Sequence, residues 1–286
     1  MITYDPHKWL DHFFDIRGSL VKEISGRVLI CVFWSAGVVY FDKNYHDVNI
    51  SSLLHTLVGL ALSMLLVFRT NASYDRYWEG RKLWGGIVNE TRNLVRQATV
   101  HLSGERDLVV HLAQLNVDFA AACMYHLRGA KIAGMLESQH PPLTIATQMT
   151  FALQEARRRG AITDIILASM DQNVQLLIDY LGGCERIRKT PLPFAYVVHL
   201  RRALVVYCFS LPFALVDTYG WATVLDTLVI SYVFFGIEEI GVEIEGPFGL
   251  DENDLPLEDI CTTIRHNLFA LVELEHSEPD KMPEGL

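Results

Sequence analysis

The chain has 286 residues, of which 50% are apolar and 20% charged, with a formal net charge of −10. A mean hydropathy of +0.20 is high for a soluble domain, while this share of charge is large for a bundle buried wholly in lipid, so a membrane protein with a substantial aqueous part is expected. The acidic balance excludes the basic face that nucleic-acid binding requires.

In chain order, polar Asp15–Lys22 separates the start from the first apolar run, and no small-residue cleavage site follows that run, so no cleavable signal is expected. That run, Val28–Phe41, falls short of the roughly 20 residues a span needs, and Ile24 to Arg27 extend it to a span over about 24–42. A polar loop, Asp42–Ser52, separates it from the second run, Leu53–Phe68, which gives a span over about 53–69. No Gly or Pro interrupts the chain between Phe68 and Gly80, so this span continues as a helix dense in Arg and aromatics. Within it Leu60, Met64 and Phe68 recur every fourth residue. Each step drifts only about 40° from a full turn, so the three form one stripe, which either packs or lines a dry constriction.

Arg69 to Thr190 reads as helix almost throughout, with Leu108, Leu112, Leu115 and Phe119 at helical spacing, and Val174, Leu177, Tyr180 and Leu181 likewise. Pro141-Pro142 marks a turn, and Gly182-Gly183 is expected to end a helix. The segment Tyr74–Glu79 reads as an aromatic and basic belt, or as a shoulder against neighbouring subunits with Asp75, Arg76 and Glu79 in ion pairs. The third and fourth runs, Ala203–Val216 and Trp221–Ile237, give spans over about 203–219 and 221–240. An acidic run with Glu238, Glu239, Glu243 and Glu245 leads into the turn Gly246–Leu257, and residues 277–286 form a polar tail. The competing reading of the four runs is core helices of a soluble bundle.

Basic residues crowd the segments before the first run, after the second and before the third, whereas the two outer loops, Asp42–Ser52 and Asp217–Gly220, hold only Lys43. The positive-inside rule therefore places both termini and the segments 1–23, 70–202 and 241–286 in the cytoplasm. The five cysteines are scattered without C-x-x-C, and the eleven histidines do not cluster, so no metal centre is expected from them. No nucleotide loop, nucleophile elbow or H-E-x-x-H is present, and an enzyme is not expected. Asp251 and Asp254 in the acidic turn are candidate ligands for a divalent cation such as Ca²⁺; a solvated acidic turn is the alternative.

Five segments in order resemble the bestrophins, specifically the bacterial bestrophin homologues. They are Phe14–Ser19, Phe68–Tyr74 with Trp84-Gly85, Gly182–Arg186 with Thr190–Tyr196, Leu211–Val216, and Pro247–Gly249 with Asn253–Leu257. The resemblance spans nearly the whole length and implies one all-α unit over 1–286, with four transmembrane helices and a large helical cytoplasmic region. It implies a homopentamer in the bacterial inner membrane, partnered by lipid and permeant inorganic ions. Two constrictions are implied: a neck at Leu60, Met64 and Phe68, coinciding with the stripe found by spacing, and a cytoplasmic aperture at Ile165. Animal members are calcium-activated anion channels with an acidic clasp, in which Asp251 and Asp254 would fall at acidic positions. Here Gly246 replaces the Asn of that pattern and bacterial homologues look calcium-independent, so activation by calcium is not expected.

Uncharged neck residues cannot choose the sign of an ion. The outer acids Asp42, Asp47, Asp217 and Asp226, multiplied around an axis, make a negative mouth that favours monovalent cations. An anion (chloride) channel of the same fold, a non-conducting scaffold for a soluble partner, and a metal-dependent membrane enzyme using Glu238, Glu239 and Glu243 are the alternatives.

Overall fold

A computed structural model of the chain describes residues 20–48, 50–130 and 139–274. The motif at 14–19 and the tail at 277–286 lie outside them. Among the described residues there are eight helices and no strand: α1 Val21–Asn44, α2 Ser52–His101, α3 Arg106–Arg128, α4 Pro141–Arg158, α5 Asp164–Lys189, α6 Phe194–Tyr219, α7 Ala222–Glu243 and α8 Leu257–Leu274. The chain divides into two compact units, one of residues 1–77 with 191–254 and the other of 78–190 with 255–286, so α2 contributes its first half to one and its second half to the other.

The first unit is built from α1, the first half of α2, α6 and α7. Its core gathers Ile24, Cys31, Leu62, Leu66, Leu204 and Phe235, among others, from all four helices. The buried positions of α1 step by three or four residues (Ile24, Val28, Cys31, Ser35, Val38), as one packed face of a helix must. The buried face of α7 is different in kind: Thr223, Thr227 and Ser231 come first, and small polar groups let two backbones approach closely. Thr227 Oγ1 donates to Ser35 Oγ at 3.1 Å, so these hydroxyls are paired across α1 and α7. Gly59 on α2 meets Tyr207 of α6 so closely that a Cβ there would lie 2.6 Å from the Tyr207 hydroxyl.

Four helices are long and apolar enough to cross a membrane by length and composition: α1, α2, α3 and α6. In α3, however, 67% of the most apolar stretch is buried, against 33%, 22% and 28% in α1, α2 and α6. A helix with so little bare surface is a core helix, and α3 packs against α4 and α8 inside the second unit. The expected span over 221–240 falls on α7, whose Asp226, Glu238 and Glu239 raise its charge, but whose Leu225, Val229, Tyr232 and Val233 stand bare outside the packed face.

Two sequence expectations change. The outer loops shrink, because α1 runs to Asn44 and α6 to Tyr219. The α6–α7 turn is left with Gly220 and Trp221, and Gly220 takes φ +53°, a conformation glycine adopts freely. Gly182-Gly183 does not end a helix; α5 runs through both to Lys189. The reason is packing: a Cβ at Gly183 would sit 2.7 Å from the Leu83 side chain, so this glycine admits a neighbour rather than stopping the helix.

Candidate ion pathway

The first half of α2 has two distinct faces. One is packed: His55, Gly59, Leu62, Leu66, Arg69 and Ser73 are buried at alternating steps of four and three. The other bears Leu60, Met64 and Phe68, which remain 64%, 56% and 60% exposed, while Leu62 and Leu66 are at 2% and 1%. Burying a large apolar side chain is worth roughly 1.5–3 kcal/mol, so a bare stripe flanked by Leu57 and Val67 is a surface that lipid, a second copy or a pore completes.

A charge network sits where Arg27 near the start of α1, Arg69 of α2, Arg201 near the start of α6 and Glu238 near the end of α7 come together. Arg69, 1% exposed, is paired with Glu238, and its other terminal nitrogen lies 3.8 Å from Glu245 Oε2. Glu238 also accepts from Arg201 Nε at 2.9 Å, and Arg27 donates to Glu239 at 2.6 Å. The three arginines face three carboxylates, which is what burial of charge demands. Glu243 accepts from Asn253 Nδ2 at 2.8 Å. Glu238, Glu239 and Glu243 thus serve as counter-ions and turn acceptors, and they form no shared ligand set among the described residues. Nearby Arg76 Nε donates to the Glu245 carbonyl at 3.1 Å, while Glu79 pairs with Arg186 in the second unit.

The four acids expected at the outer mouth are not equivalent. Asp47 and Asp217 are exposed, whereas Asp42 accepts the Val48 N–H at 3.0 Å and so staples the α1–α2 loop. Asp226, one turn into α7, is half-buried, and its Oδ2 is buried without a hydrogen-bond partner. Ile165, the second residue of α5, is 80% exposed beside Asp164, which Arg157 engages. That carboxyl is held below its ordinary range by the hydrogen bond and charge of Arg157.

The acidic turn folds on itself. Asp254 is buried and its Oδ2 accepts the Asp251 N–H at 2.8 Å, while Asp251 is exposed. Gly249 presses on the same oxygen, since a Cβ there would lie 2.6 Å from it.

Sequence reasoning missed one group. The histidines do cluster, in the second unit: His126 at the end of α3 and His140 at the cap of α4 both reach Glu185 Oε1 on α5, at 2.6 and 2.9 Å. Their partners are 59 and 45 residues away in the chain, so no local spacing rule reveals them. Burial pushes the Glu185 carboxyl up, but the two histidine hydrogen bonds and the charges of His140 and Lys189 outweigh it and hold it below the ordinary value. Cys184 and Cys261 are pushed up to about 12, chiefly by burial, and are unreactive thiols.

The family model described as bacterial and fungal bestrophin protein matches residues 1–270. A voltage-dependent anion channel-forming protein of Nostoc is 40% identical, over 96% of this chain and 94% of that one. YneE of Escherichia coli, with the same description, is 33% identical over 95% and 94%. The crystal structure of a bacterial bestrophin homologue from Klebsiella pneumoniae superposes with a TM-score of 0.83 at 32% identity, covering 87% of this chain and 98% of that one.

Proposed function

The chain belongs to the bacterial and fungal bestrophin family, and from this we propose that it forms a homopentameric ion channel in the bacterial inner membrane, with both termini cytoplasmic. The single observation carrying the reading is the bare stripe Leu60, Met64 and Phe68, set opposite the packed face of the same helix. Placed around a five-fold axis, the stripe is a neck whose walls cannot replace an ion's water. A narrow apolar neck therefore blocks by dewetting and conducts once it widens or wets. Ile165 makes a second apolar ring at the cytoplasmic aperture. Its neighbour Asp164 is held by Arg157, so the ring carries little free charge.

The permeant ions are monovalent cations. Exposed Asp47 and Asp217, together with half-buried Asp226, repeat five times at the outer mouth and raise local cation concentration. The acidic turn serves as a structural brace, in which Asp254 accepts the Asp251 N–H. A second reading, an anion channel, is favoured by the relatives from Nostoc and Escherichia coli, which are voltage-dependent anion channel-forming proteins. Purified protein in planar bilayers under a NaCl gradient separates the two. A reversal potential toward the sodium equilibrium value supports cation passage, and one toward chloride overturns it while leaving the channel intact.

A further inference from the structure

We propose that His126, His140 and Glu185 form a binding site for a borderline transition-metal dication, with Zn²⁺ the best match, tying together the ends of three helices in the second unit. The site lies outside the acidic turn and outside the neck, and it does not depend on the channel reading.

The donor set points to the class of ion. Two imidazole nitrogens and one carboxylate suit Zn²⁺ and its neighbours, whereas calcium and magnesium want oxygen ligands. Three protein ligands leave a position for water in a tetrahedral shell. The geometry is already close. One ligand atom from each residue falls within 4.8 Å of the other two, and all three residues are partly buried yet open to solvent. The imidazole rings lie 4.6 Å apart between centroids and are tilted by 38°, so they converge without stacking.

What holds the donors in place is independent of any metal. His126 stands in the last turn of α3, and its carbonyl accepts from Arg188 of α5 at 2.7 Å, joining the same two helices beside the site. His140 is fixed as the cap of α4 by Pro141-Pro142, which lock the first helical backbone angles. Glu185 leans on Lys189 one turn further on, at 3.6 Å, and that lysine is exposed and free to swing away from an arriving cation.

Three adjustments are required: the carboxylate retreats, and both histidines, whose Nε2 atoms now donate to Glu185, carry their ring proton on Nδ1 once metal is bound. The present Oε1 separations of 2.6 and 2.9 Å are hydrogen-bond lengths. The edge of a tetrahedron with bonds of roughly 2.0–2.1 Å is about 3.3 Å, so the carboxylate retreats by less than about 1 Å. His140 Nδ1 accepts the Leu143 N–H at 3.2 Å, which leaves the ring proton on Nε2. Metal at Nε2 shifts that proton to Nδ1 and gives up a long hydrogen bond, and the freed N–H is at an exposed helix start where water replaces it.

The test uses the full-length protein in detergent, stripped with a chelator and titrated with ZnCl₂ against a chromophoric zinc indicator, alongside His126→Ala, His140→Ala and the exposed-site control His101→Ala. Wild type and His101→Ala should bind one equivalent per chain and gain thermal stability on adding zinc. Each ligand variant should lose at least the roughly 10–100-fold in affinity that even outer partners of a metal cost, and lose the zinc-dependent stabilisation. Equal melting temperatures of metal-free wild type and His140→Ala establish that the variant is folded. Should His140→Ala prove unfolded, His140→Gln is scored by the same titration. No stoichiometric zinc in the wild type, or zinc affinity unchanged in the ligand variants, overturns the site.

Discussion

Glu238→Gln tests the charge network most sharply. Arg69 is 1% exposed, and Glu238 is the carboxylate that pairs with it directly while also receiving Arg201. The amide keeps the shape and one hydrogen-bond acceptor but removes the charge. Arg69, Arg201 and Arg27 are then left with Glu239 and Glu245 only, and Arg69 has just the 3.8 Å approach to Glu245. Breaking a buried pair by neutralising one partner costs about 3–5 kcal/mol. At roughly 2–4 °C per kcal/mol for a chain of this order of size, the melting temperature falls by about 6–20 °C. Arg27→Ala is the comparison: its side chain is 46% exposed, so water screens its pairs and its loss should cost less than Glu238→Gln. Arg69→Met in the Glu238→Gln background removes the stranded charge, so the double variant should be more stable than Glu238→Gln alone. Thermal unfolding of the purified variants in detergent reads all three. A Glu238→Gln protein that melts within about 2 °C of wild type, a shift that corresponds to under about 1 kcal/mol, would refute the reasoning.

Gly59→Ala places a Cβ 2.6 Å from the Tyr207 hydroxyl and should cost about 1–3 kcal/mol by overpacking, with Tyr207→Phe in the same chain recovering part of it; equal melting of the single and double variants would count against a clash there. Glu258 is held below its ordinary value first by the hydrogen bond from Arg128, against burial, so its contribution is present above the ordinary carboxylate pKa and is lost as pH falls through the lowered one. Because this carboxylate is largely exposed, Glu258→Gln should destabilise by under about 1 kcal/mol at neutral pH, and its difference from wild type should vanish in acid melts. Cys184 and Cys261, with pKa values near 12, should resist alkylation in native protein at about pH 8 and react only after unfolding, which mass spectrometry of iodoacetamide-treated protein checks.

Periodicity made the membrane half of the fold legible. The same alternation of four and three that buries Leu62, Leu66 and Arg69 leaves Leu60, Met64 and Phe68 bare, and that pattern is written in consecutive residues. Helix ends were less legible. Gly182-Gly183 reads as a stop locally, but the Leu83 contact that explains Gly183 comes from another helix. Partner choice was not legible at all. The Arg27 contact to Glu238 joins residues 211 apart, and His126 and His140 meet only because α3, α4 and α5 bring their ends together. An acidic run, likewise, shows its charge but not that Asp254 is turned inward onto its own backbone. Ile165 came from the family resemblance, since an isoleucine at the start of a helix carries no local sign of a pore.

The central claim is that the bare stripe of α2 is the constriction for ions. Single-channel recording of Leu60→Ala/Met64→Ala/Phe68→Ala against wild type, from protein shown to be pentameric, addresses it directly. Smaller side chains widen and wet the neck, so open probability or unit conductance should rise markedly. Unchanged open probability and conductance would contradict the account.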